Sequence, residues 1–159
     1  MIPLYGRQLY FKNILTMKNI LVTVDLEDNS RVLVEKAAEL AEKFDSMVWV
    51  VHITEPDPGF VGYKEGPQYV RDNRADEIKH EHHQIREYKD ILKAKGIKAE
   101  GLLIIGSTIE MILSEMNKLN IDLIIIGHHK HSFMYKIFGE VTDLSVLKKS
   151  KVPLLIVPL

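Results

Sequence analysis

Between Asn120 and Gly139 the chain reads NIDLIIIGHHKHSFMYKIFG, and its opening third narrows the fold more than any other stretch. Residues Ile121 to Ile126 are apolar except for Asp122, and Gly127 follows. A strand with aliphatic side chains on both faces must be covered on both faces. That is the condition of strands in a parallel sheet held between helices. Gly127 reads as the stop of the run, and ligand crevices of open α/β sheets lie beyond the carboxyl ends of their strands. The loop after it carries His128, His129, Lys130 and His131, then Phe133 and Tyr135. It is the first candidate for a binding or sensing loop.

The other segments alternate in the same style. Ile20–Asp25 is a β-branched run, and Asn29 and Ser30 offer an N-cap directly after it. Leu33, Ala37, Leu40, Ala41 and Phe44 then recur at helical spacing. Met47–Ile53 is a second buried strand. Glu55–Pro67, with three prolines and three glycines, reads as a long loop of the length that is commonly functional. Ile78, Ile85 and Leu92 mark a charged helix that Gly96 ends, and Lys98–Ile105 is the third strand. Ser107 to Glu110 forms a capping box, with Ile109, Ile112, Leu113 and Met116 as the inner face of the helix behind it. After the opening strand, Val141–Ser150 is expected as a short helix and Val152–Val157 as the fifth strand.

Strands alternating with helices imply a parallel sheet joined by right-handed crossovers. The expected architecture is α/β, a Rossmann-like doubly wound five-stranded parallel sheet of order 3-2-1-4-5 with helices on both faces. Strands one and four are then neighbours at the switch point, and the loops Asp25–Ser30 and Gly127–Gly139 face each other across one crevice. Every recognisable element starts after Met17, so residues 1–16 are expected to be a non-core extension of a domain spanning 17–159. A net charge of −1 advertises no nucleic-acid surface, and no apolar run approaches the roughly 18–20 residues of a membrane helix. With no cysteine there is no thiol chemistry and no cysteine-ligated metal, which fits a cytoplasmic protein.

The segments VDLEDNSRVLVEKAAELA after strand one, GHHKH after strand four and the closing VPLLIVPL together resemble the universal stress protein family, over Met17 to Leu159. One branch of that family binds ATP through G-x2-G-x9-G-[S/T] after strand four, with a strand-one aspartate on the adenine–ribose side. The other, typified by universal stress protein A, lacks the motif and is not expected to bind ATP. Here Gly127 matches the first glycine, Lys130 replaces the second, Glu140 stands at the third and Val141 at the hydroxyl position. A one-residue shift makes Gly139 the third glycine and sets Glu140 in the hydroxyl place. Bare glycine backbone lets N–H groups approach phosphate, whereas a carboxylate repels it. The strand-one aspartate matches at Asp25, and the whole pattern looks more like the branch without ATP.

Each candidate has a plainer reading beside it. Asp25 is either an adenosine-side ligand or a polar stop and helix cap. Gly106 and Ser107 open a helix, where N–H groups favour anions, but Glu110 completes an ordinary capping box. His128, His129 and His131 invite a metal, yet adjacent loop histidines seldom converge on one ion, so no metal site is expected. Lys130 reaches a phosphate as a point charge or is simply solvated. No Walker lysine, nucleophile elbow or telling carboxylate pair is present. The chain therefore reads as a dimeric stress-response or regulatory module with a degenerate nucleotide pocket, not an enzyme. An adenine-nucleotide switch is the alternative, and a slow ATP hydrolase ranks last. No cofactor is expected, with ATP or AMP left open, and the dimer is expected through strand 152–158, an apolar edge that Pro153 and Pro158 keep in register.

Overall fold

Side chains alternate across a strand, so each apolar strand of this chain feeds two cores at once. The computed structural model describes residues 17–27, 29–54, 68–106, 109–128 and 150–159. It contains β1 (Asn19–Val24), α1 (Ser30–Phe44), β2 (Met47–Thr54), α2 (Gln68–Ala94), β3 (Ala99–Ile105), α3 (Ile109–Lys118), β4 (Leu123–His128) and β5 (Leu154–Pro158). The strands form one parallel sheet in the order β3-β2-β1-β4-β5, as expected. Ile20, Val22, Val48, Val50, Leu123 and Ile125 point to one face and meet Leu33, Val34 and Ala37 of α1 with Ile85 and Leu92 of α2. Leu21, Val51, Ile53, Ile124 and Ile126 point to the other face, where Met116 of α3 packs. Ile20, Val22, Val48, Val50, Ile125 and Leu92 are fully buried, each stabilising the fold by about 1.5–3 kcal/mol relative to exposure.

The three described helices return to the sheet through one kind of turn. Asp45, Gly96 and Asn120 adopt positive φ of 50°, 79° and 50° just past the helix ends. The next N–H in each case reaches back to the last turn: Ser46 to Ala41, Ile97 to Leu92 and Ile121 to Met116, at 3.1–3.2 Å. This is the Schellman closure, and Ile97 packing in the same core as Leu92 supplies its hydrophobic contact. Aspartate and asparagine tolerate the left-handed conformation, which is why glycine is needed at only one of the three.

Several boundaries differ from the sequence reading for tertiary reasons. Gly127 does not stop β4; the strand runs through it to His128, paired with Val157 and Pro158 of β5. A Cβ at Gly127 would lie 2.6 Å from Leu159 Cδ1 and 2.9 Å from Leu33 Cδ1, so the glycine makes room for two leucines. Asp122, the polar exception in the aliphatic run, lies one residue before β4. Its carboxylate accepts the N–H groups of Lys18 (2.8 Å) and Asn19 (2.9 Å), tying the start of β1 to the start of β4. β5 begins at Leu154, two residues late, because Ser150 and Val152 bond to each other and Pro153 has no N–H to pair. Phe44 ends α1 exposed, not in the core. The Glu55–Pro67 loop, the Val141–Ser150 helix and the 1–16 extension lie outside the described residues.

Candidate functional site

The chain winds outward from β1 through β2 to β3, then returns beside β1 as β4 and β5, so the switch point falls between β1 and β4. Their registered pairs run from Ile20–Leu123 to Val22–Ile125, and both strands continue beyond the last of these. The Thr23 hydroxyl reaches the Ile125 carbonyl at 3.4 Å, and Asp25 is the first residue past the carboxyl end of β1.

Asp25 is held in place from its own loop. Its Oδ1 accepts the Ser30 hydroxyl at 2.6 Å and the Glu27 N–H at 3.2 Å, while the Asp25 N–H donates to Ser30 Oγ at 3.3 Å. Ser30 is completely buried. Asn29 occupies the N-cap position of α1 without a side-chain capping bond, and the hydroxyl of Ser30, the other cap the sequence offered, bonds Asp25. Asp25 thus closes its own turn through Glu27 and anchors the first residue of α1 through the Ser30 hydroxyl. Leu26 takes a positive φ of 65° to make this turn, and its carbonyl accepts Gln84 Nε2 of α2 at 3.5 Å. At the level of Val24, His52 Nδ1 lies 2.8 Å from the Val24 carbonyl. A carbonyl only accepts, so Nδ1 carries the proton there.

The ends of β2 and β3 carry a polar group that the sequence reading missed. Thr54, buried at the end of β2, accepts Arg74 Nη2 at 3.0 Å and directs its hydroxyl toward Glu81 Oε1 at 3.5 Å. Arg74 also pairs with Glu77 at 3.0 Å. The Thr54 carbonyl takes the Gly106 N–H at 3.1 Å, placing Gly106 at this same end of the sheet. Nothing in the spacing of Thr54, Arg74 and Glu81 joins them across a long loop. The one available signal was that Arg74 and Glu81 lie seven apart on one helix stripe.

Of the predicted site residues, Asp25, Gly106, Gly127 and the backbone of His128 are therefore gathered at the carboxyl end of the sheet. Ser107, His129, Lys130, Gly139, Glu140 and Val141 lie outside the described residues. Among the described residues no group of three or more histidine, aspartate or glutamate side chains could hold a metal ion. Likewise among them, no helix is long and apolar enough to cross a membrane.

Strand order, with the switch point between β1 and β4, defines an open, doubly wound α/β domain of the Rossmann-like kind. The model of the universal stress protein family matches residues 16–158, and the chain belongs to that family. It is 30% identical over 126 residues to universal stress protein A homolog 1 of Coxiella burnetii, covering 77% of this chain and 83% of that one. Among solved structures it resembles a universal stress protein in complex with cAMP, with a TM-score of 0.61, 19% identity and coverage of 90% of this chain and 98% of that one. It also resembles the universal stress protein from Archaeoglobus fulgidus in complex with dAMP, with a TM-score of 0.59, 20% identity and coverage of 87% and 96%.

Proposed function

We propose that this protein is a non-catalytic stress-response module. Its crevice beyond β1 and β4 holds an adenine nucleotide by the nucleoside and one phosphate, and it accepts ATP poorly. The observation that carries this reading is the contrast between the two sides of the crevice. On the β1 side, Asp25 stands at the strand end on a turn that Ser30 and Glu27 fix. On the β4 side the sequence sets Lys130 where bare backbone is required and Glu140 beside the expected phosphates. Two relatives of the same fold are named for complexes with cAMP and dAMP, ligands with a single phosphate, which supports a monophosphate over a triphosphate. The proposed lining is Asp25, Gly106, Ser107 and Gly127, continued by His128, His129, Lys130, Gly139, Glu140 and Val141.

The module acts in the cytoplasm as a homodimer joined along β5. Supporting this, among the described residues β5 ends the sheet and pairs with β4 alone, while Ile156 is 56% exposed on it. An apolar edge of this kind invites pairing by a second copy. Residues 1–16 are an extension outside this working domain. Isothermal titration calorimetry on the unmodified protein tests the proposal. AMP is expected to bind at least about ten-fold more tightly than ATP, and ATP with a Kd above about 0.1 mM. Micromolar ATP binding refutes it.

A further inference from the structure

Glu81 is the side chain whose placement the fold leaves unexplained. Its Oε1 receives the Thr54 hydroxyl, but its Oε2 is buried and has no hydrogen-bond partner among the described residues. A buried acceptor left without a donor destabilises a protein, so such an atom calls for an explanation. Packing alone does not give one, since a leucine or methionine would fill the space without that loss. The neighbours orient the carboxylate: Arg74 donates to Thr54 at 3.0 Å, which turns the threonine proton toward Oε1, 3.5 Å away, and leaves Oε2 as the acceptor without a donor.

The position of Glu81 points to what it accepts from. Gln84, three residues further along α2, reaches the carbonyl of Leu26, the residue after Asp25. That turn of α2 therefore lies against the loop at the mouth of β1. Thr54 ends β2, the strand beside β1, so the carboxylate and Asp25 share one end of the sheet. We infer that Glu81 Oε2 takes a proton-bearing nitrogen of the bound ligand, the exocyclic amino group of the base, with Thr54 and Arg74 as its positioning residues. This inference rests on the adenine-nucleotide reading above. A carboxylate oxygen accepts and never donates, so it recognises an amino-substituted purine and gains nothing from one without the amino group.

The test is calorimetry with AMP and with purine riboside 5′-monophosphate, which lacks only the amino group, on the unmodified protein and on Glu81→Leu. The unmodified protein is expected to prefer AMP by about ten-fold or more, the usual effect of one hydrogen bond to a charged group. Glu81→Leu is expected to bind the two equally and to melt no lower than the unmodified protein. Should the leucine variant fail to fold, Glu81→Gln replaces it, with the preference expected to drop several-fold. Equal binding of both nucleotides by the unmodified protein overturns the inference and leaves the nucleotide reading standing. So does a preference that survives the substitution. Binding of neither nucleotide overturns both.

Discussion

Gly127 is the residue at which packing and ligand chemistry compete as explanations, and Gly127→Ala separates them. The added Cβ would sit 2.6 Å from Leu159 Cδ1 and 2.9 Å from Leu33 Cδ1, against an ordinary contact of 3.4–4 Å. Leu33 is 2% exposed and cannot yield freely, whereas Leu159 is the half-buried last residue. One side chain can swing away and the other must shift within a close-packed core. Overpacking by one methyl group in such a core costs about 1–3 kcal/mol, and the mobile partner puts this site near the lower end, about 1–2 kcal/mol. For a domain of this size that lowers Tm by about 3–6 °C. Urea unfolding should report the same loss with an unchanged slope. In a double-mutant cycle, Leu159→Ala should recover part of it by removing the nearer methyl. A Gly127→Ala variant as stable as the unmodified protein, or a clash that Leu159→Ala leaves untouched, refutes the packing account.

Three more outcomes follow from the contacts. Ile156→Asp should convert a dimer to a folded monomer in light scattering; a monomeric unmodified protein, or a variant that stays dimeric, removes β5 as the interface. Ser30→Ala should cost about 1–2 kcal/mol, because it strips a charge-assisted hydrogen bond from Asp25, while Asn29→Ala should be near neutral. Denaturation showing Asn29→Ala as the more harmful of the two contradicts the cap assignment. The Lys95 ammonium bonded to Glu35, with Arg31 close by, holds the Glu35 carboxyl below its ordinary value of 4.5. A lowered folded-state pKa gives stability that is present above the unfolded value and lost as pH falls through the folded one. Glu35→Gln should therefore cost a little at pH 7 and progressively less as the pH falls below 4.5. With the pair this exposed the loss is at most about 0.5–1 kcal/mol; a loss that does not shrink as the pH falls refutes the ion-pair origin.

What could be read from the sequence was whatever depends on local pattern. The aliphatic runs, the helical stripe of Leu33, Ala37 and Ala41, and the alternation of the two are local, and they gave a parallel sheet whose order followed once the chain was taken to wind outward from strand one and return beside it. Gly96 as a helix stop was legible for the same reason, since left-handed backbone favours glycine. The purpose of Gly127 was not, because it depends on Leu33 and Leu159, both remote in sequence. Asp122 looked like a flaw in a strand until its bonds to Lys18 and Asn19 placed it before one. Asn29 and Ser30 have equal capping preference, yet neither side chain bonds a helix N–H, and the Ser30 hydroxyl is committed to Asp25 instead. The Thr54–Arg74–Glu81 group joins the two ends of a long loop and exists only through space.

The central claim, a crevice that keeps its nucleoside side and has lost its triphosphate side, is tested most directly by restoring the lost side. Lys130→Gly/Glu140→Gly/Val141→Ser removes a side chain from the expected phosphate path, removes a negative charge and adds a hydroxyl. A like charge a few ångströms away at an effective dielectric near 20 costs on the order of 1–4 kcal/mol. Calorimetry should then show ATP binding about ten-fold to several hundred-fold more tightly in the triple variant, with AMP nearly unchanged. Micromolar ATP binding by the unmodified protein, or no gain in the variant, contradicts the account.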